Sequence, residues 1–124
     1  MVPEPPDESG AAKTVSVTVR ATEDLSAWAV VTAHGKQADS GNPSAHMGRI
    51  IGIIVAPIRS GSVGQAILSG EITNSDWNWV MGQQVYLTGR QISSVSPTTG
   101  FSQQIGAANA PTKLVVALSA PMLL

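Results

Sequence analysis

Valine alternates with polar residues near the start of the chain: Val15, Val17 and Val19 are separated by Ser16 and Thr18 and flanked by Thr14 and Arg20. A repeat of two puts the valines on one face of an extended segment and predicts a half-buried strand. A second apolar run covers Ala27 to Ala33 and ends at His34-Gly35. A third, Ile50 to Val55, is short, β-branched and stopped by Pro57, which favours a buried strand over a helix. Further strands are predicted at Gln65 to Ser69 before Gly70, Val85 to Thr88 before Gly89, Ile92 to Val95 before Pro97, and Lys113 to Leu118 before Pro121. Gly61 to Gly64 reads as a turn.

Gly and Pro recur so often that no uninterrupted helical pattern of three turns remains. The best helical candidate is Asn74 to Met81, where Asn74 or Ser75 could cap a single turn. Many short strands separated by turn residues predict an all-β domain, a small sandwich or barrel. Residues 1–12 differ from this body. They hold Pro3, Pro5 and Pro6 with Glu4, Asp7 and Glu8, and proline cannot donate to a ladder, so an extended N-terminal arm is expected ahead of a single domain at 13–124.

The two halves of that domain echo each other, at about residues 22–73 and 77–124. Val30-Val31-Thr32 leads to Gly35-Lys36-Gln37, as Val85 to Thr88 leads to Gly89-Arg90-Gln91. Ile51-Gly52 follow Gly35 at the spacings with which Ile105-Gly106 follow Gly89, and each half ends in Leu-Ser, at Leu68-Ser69 and Leu118-Ser119. The echo predicts two related β units packed together, with Gly35 and Gly89 in hairpin turns and Gly52 and Gly106 at bulges or close backbone approaches.

Composition narrows the functions open to such a body. Seven Lys and Arg balance eight acids for a net charge of −1, and charged residues make up only 12% of the chain. A nucleic-acid surface or a polybasic membrane anchor needs a basic excess, so neither partner is expected. Low charge with abundant Ser and Thr suits a surface covered by neighbours, since burying a charge costs more than burying a hydroxyl. No run approaches the ~20 apolar residues of a membrane span, and the acidic, proline-rich start lacks the basic-then-apolar order of a signal peptide. Synthesis in the cytoplasm of the producing cell is expected.

Candidate chemistry is sparse. The chain has no Cys, and His34 and His46 fall in loops without metal-ligand spacing, so they read as solvated histidines and no metal or cofactor is expected. Glu23, Asp24, Asp39, Glu71 and Asp76 show no pairing suited to acid–base work. Ser62 lies in Gly61-Ser62-Val63-Gly64, a turn rather than a nucleophile elbow, and no phosphate loop follows it, so no enzymatic activity is expected. Trp77 and Trp79 flank Asn78 and share a face if extended, and tryptophan is enriched at interface hot spots. They and the arm residues Pro3, Pro5 and Pro6 are the candidate partner-binding residues. Trp28 reads as core or as packing between the halves.

The phrase Met81-Gly82-Gln83-Gln84-Val85-Tyr86-Leu87-Thr88-Gly89, followed by Ser96-Pro97-Thr98-Thr99-Gly100, Gln104-Ile105-Gly106 and the ending Leu114 to Leu124, resembles small virion proteins of tailed bacteriophages, of the capsid-decoration or cement kind. The first half carries a weaker form of the same cadence. The resemblance implies a protein on the capsid exterior that bridges neighbouring major capsid subunits and associates with copies of itself, in many such proteins as a trimer. Similar modules occur in tail-fibre, baseplate and collar proteins. A carbohydrate-binding β module, with Trp77, Trp79 and Tyr86 as stacking platforms, is the reading from a different class.

Overall fold

The computed structural model describes residues 14–124; the expected arm, with Pro3, Pro5 and Pro6, lies outside the described residues. The rest is nearly all β, wound into a nearly closed, barrel-like sheet. The strands are β1 (Val15–Arg20), β2 (Val30–Thr32), β3 (Ile50–Ile54), β4 (Val63–Thr73), β5 (Gln84–Thr88), β6 (Gln91–Ser93), β7 (Phe101–Ser102), β8 (Gln104–Ala110), β9 (Lys113–Ala117) and β10 (Met122–Leu123). The main sheet runs β2-β3-β4-β9-β8-β5-β6, β1 also pairs with β4, and β7 and β10 form a small separate pair. All of these pairings are antiparallel.

β4 is the long member around which the sheet turns. Its residue Ile67 lies between Ser16 of β1 and Ile53 of β3, whereas Ser69 lies between Val15 of β1 and Ala117 of β9. The expected stop at Gly70 does not occur. The strand passes through Gly70 to Thr73, and Gly70 takes a φ of 112°, open to glycine without strain, where the strand changes partners. The Ala27–Ala33 run is also redrawn: β2 covers only Val30–Thr32, and Ala27-Trp28 form a turn. No helix forms at 74–81. The Asn74 side chain accepts a bond from the Asp76 N–H at 3.0 Å, making a local turn, and the Trp79 N–H is drawn out to the Pro111 carbonyl at 2.9 Å. Among the described residues the one helix is the single turn α1 (Pro43–His46), opened by a proline whose fixed φ suits a first helical position.

Two parts of the sheet are built alike. Val31 faces Gly52 across β2 and β3, with a register shift directly after Val31; Val85 faces Gly106 across β5 and β8, with a shift directly after Val85. A Cβ on Gly52 would strike the Ile67 carbonyl, and one on Gly106 would strike the Val115 carbonyl. Ile67 and Val115 thus hold matching places, so Leu68-Ser69 corresponds to Val116-Ala117, not to Leu118-Ser119.

The open side of the sheet is closed by a seam between these two parts. The Ser40 N–H donates to the Gly89 carbonyl at 2.8 Å, the Gly89 N–H returns a bond to Ser40 Oγ at 2.7 Å, and the Phe101 N–H donates to the Ser40 carbonyl at 2.9 Å. Ser40 is buried. Outside it, Gln37 Nε2 donates to the Arg90 carbonyl and Arg90 Nη2 donates to Gln37 Oε1, at 2.7 and 3.0 Å. The seam therefore joins the two Gly-basic-Gln turns. Inside lie three apolar clusters, centred on Val19, Leu25, Ile54 and Ile58; on Val30, Leu87, Phe101 and Ile105; and on Ile53, Ile72, Val85, Leu114 and Val116.

Candidate contact surface

All three tryptophans meet in one corner. The Trp28 and Trp77 rings stand edge to face with centroids 4.9 Å apart, and Trp77 and Trp79 lie tilted at 5.8 Å. Each is half-buried against the Ile53–Val116 cluster. The expected pair is thus joined by Trp28, which comes not from a strand but from the turn before β2 and packs across the two halves. Two unfavourable features concentrate here. Trp28 takes a φ of +69°, a left-handed conformation costly for a residue with a Cβ. Trp79 Nε1 is buried with no hydrogen-bond partner among the described residues. Val80 and Met81, which follow directly, are each more than two-thirds exposed. Tyr86 does not join the corner: on β5 it alternates with the buried Val85 and Leu87, and Val85 is the one facing the tryptophans. A stacking platform built from Trp77, Trp79 and Tyr86 together is not formed.

A second apolar feature went unread in the sequence. After Pro121, where the chain was expected to leave the sheet, Met122 and Leu123 pair with Ser102 and Phe101, and the Leu124 N–H donates to the Gly100 carbonyl at 2.9 Å. Backbone bonds hold Met122, Leu123 and Leu124 in place while leaving 60%, 63% and 50% of each exposed. The three consecutive apolar residues were the available signal, masked by Pro121 as an apparent terminator.

The polar candidates serve the loops. Asp24 accepts from the Ser60 N–H and Asp39 from the Gly41 N–H, each at 2.8 Å. Glu23 accepts from the Gln37 N–H at 3.2 Å and lies 3.7 Å from Arg90. Glu71 lies 3.5 Å from Lys113 and accepts from Asn109. Among the described residues no group of three or more His, Asp and Glu is placed to hold a metal, and no helix is long and apolar enough to cross a membrane. His34 is exposed, as expected. His46 is not a solvated side chain: it ends α1, half-buried, and its Nδ1 accepts the Asp39 N–H at 2.8 Å, which secures the loop that carries Ser40 to the seam.

Compared with known protein families and with curated proteins, the chain matches no family model and no curated sequence.

Proposed function

We propose that the chain is a virion structural protein that binds the outer surface of an assembled capsid and ties neighbouring capsid subunits together. The observation that carries this reading is the C-terminal strand: Met122, Leu123 and Leu124 are half or more exposed yet held in register against Phe101 and Ser102. Backbone bonds order this segment while half or more of each residue stays uncovered, which leaves apolar surface for a partner. Ordered in advance, it meets a partner surface without the entropy cost of fixing it at binding. Covering the exposed part of each side chain is worth on the order of 1 kcal/mol. The tryptophan corner, with Val80 and Met81 beside it, supplies a second apolar contact. Four of the five described carboxylates, Glu23, Asp24, Asp39 and Glu71 but not Asp76, are engaged in holding loops and strands.

The mechanism is mass action. A ligand that recognises only assembled subunits lowers the free energy of the shell relative to its free parts. β10 is the natural contact element, because a short strand can add to a sheet edge of the partner while its side chains fill pockets. Incubating purified protein with purified phage heads and with purified tails, then sedimenting each, tests this. Binding to heads alone is expected. Binding to tails alone would move the protein to the fibre, baseplate or collar, and binding to neither would end the virion reading.

A further inference from the structure

Where β3 leaves β4 the sheet opens into a cleft that none of the contacts above uses. The ladder ends at Ile54↔Ala66, after which Ile58 is pulled toward Leu25 by reciprocal backbone bonds of 3.0 and 2.8 Å. Val55, Ala56 and Pro57 therefore splay away from Val63, Gly64 and Gln65, and the gap is an open cleft of about 490 Å³. Its floor is Gly64 against the Ile58 side chain, where a Cβ on Gly64 would collide with Ile58 Cδ1. Val55 and Val63, both exposed, stand on opposite walls. The connection from β8 to β9, the matching place in the second half, is a tight turn at Pro111-Thr112 and makes no such gap.

Among the described residues, the one charged side chain that lines this cleft is a cation. Arg59 lines it, and Arg20, opposite Val63 in the β1–β4 ladder, donates from Nη1 to the Gly61 carbonyl at 2.9 Å. Among the described residues neither arginine is ion-paired, whereas Arg90 and Lys113 are. Asp24 lies nearby, but its carboxylate is turned to the Ser60 N–H. A largely apolar slot lined by Arg59, with Arg20 paired beside its Val63 wall, suits an extended segment that is rich in proline and acidic.

This chain contains one such segment. Residues 3–8 read Pro-Glu-Pro-Pro-Asp-Glu and carry no cation. Proline-rich sequence binds apolar slots at low entropic cost, and carboxylates complement the arginines. The described chain enters β1 at Val15, opposite Ser69, while the cleft lies at the other end of that strand beside Arg20 and Val63. The two ends are separated by roughly 17 Å of strand. Residues 1–13 span up to about 43 Å when extended, enough to reach a molecule packed alongside. We infer that residues 3–8 of one copy occupy the Val55–Val63 cleft of a second copy, with Glu4 facing Arg59. This rests on the reading of the chain as a protein that associates on a shell, and it names the contact between its copies.

Because the chain has no cysteine, the contact can be read by crosslinking. Full-length chain carrying Val2→Cys is mixed with full-length chain carrying Gln65→Cys and treated with a short bismaleimide. A crosslinked mixed dimer is expected. Its yield should fall roughly fivefold, the size of one exposed ion pair, when Arg59→Glu is added to the cleft-bearing chain, and recover when Glu4→Arg is added to the arm-bearing chain. Absence of the mixed dimer overturns the inference. So does a yield indifferent to Arg59→Glu, or a doubly substituted chain that crosslinks only within itself. Parallel sedimentation with phage heads separates the two claims. Head binding without crosslinking removes the copy-to-copy contact alone, and crosslinking without head binding removes the capsid reading alone.

Discussion

Gly52 and Gly106 are placed by what lies opposite them rather than by turn geometry. Each allows a carbonyl of the neighbouring strand, from Ile67 or Val115, to come where a Cβ would be. Gly52→Ala and Gly106→Ala should each cost at least about 2 kcal/mol, because backbone on both sides must move. Denaturant unfolding measures this, and losses under about 0.5 kcal/mol would show that the ladders can part without penalty. Trp77 gives a second check. It packs between Trp28 and Trp79 on the Ile53–Val116 cluster, so Trp77→Ala should destabilise the fold by about 3 kcal/mol. An unchanged unfolding midpoint would mean that the ring is a surface feature. Both glycines were legible in the sequence, standing inside apolar runs where a strand gains nothing from glycine unless something sits close. The left-handed turn at Trp28 was not, since its partners, the Ile54 carbonyl and the Trp77 ring, come from elsewhere in the chain.

At the level of elements, the structure depends on a seam that no strand provides. Ser40 closes it with three bonds to Gly89 and Phe101, in a loop clamped by His46. Ser40→Ala should leave the part-buried Gly89 N–H without its acceptor and cost about 1 kcal/mol. Arg90→Ala, which removes only exposed partners of Gln37 and Glu23, should cost less than about 0.5 kcal/mol. If the two variants unfold alike, the seam is not held from inside. The alternating valines of Val15–Arg20 and the short β-branched run of Ile50–Ile54 could be read directly from residue pattern. β8 could be read only in part, because Gly106-Ala107-Ala108-Asn109-Ala110 carries no branched side chain and its strand form comes from β5 and β9 on either side. At 74–81 the single turn that Asn74 could cap is present, closed from the Trp77 N–H to the Asn74 carbonyl, and no helix continues it: tertiary bonds to Pro111 and Thr112 outweigh the few bonds one more turn could make.

For the whole molecule, the nearly closed sheet and low-charge exterior make three features of the described residues the proposed contacts: the tryptophan corner, the terminal strand and the Arg59 cleft. The first was visible in the spacing of Trp77 and Trp79. The other two were not, because each arises where the chain departs from its local pattern, at a strand after Pro121 and at a ladder that splits after Ile54. The most direct measurement is sedimentation of phage heads with wild-type protein and with a Leu123→Asp variant. Leu123 is well exposed and its ladder pairing with Phe101 is a backbone one, so the variant should retain the wild-type unfolding midpoint. The account expects the wild type to pellet with heads and the variant to stay largely in the supernatant; equal pelleting of the two, with both folded, would contradict it.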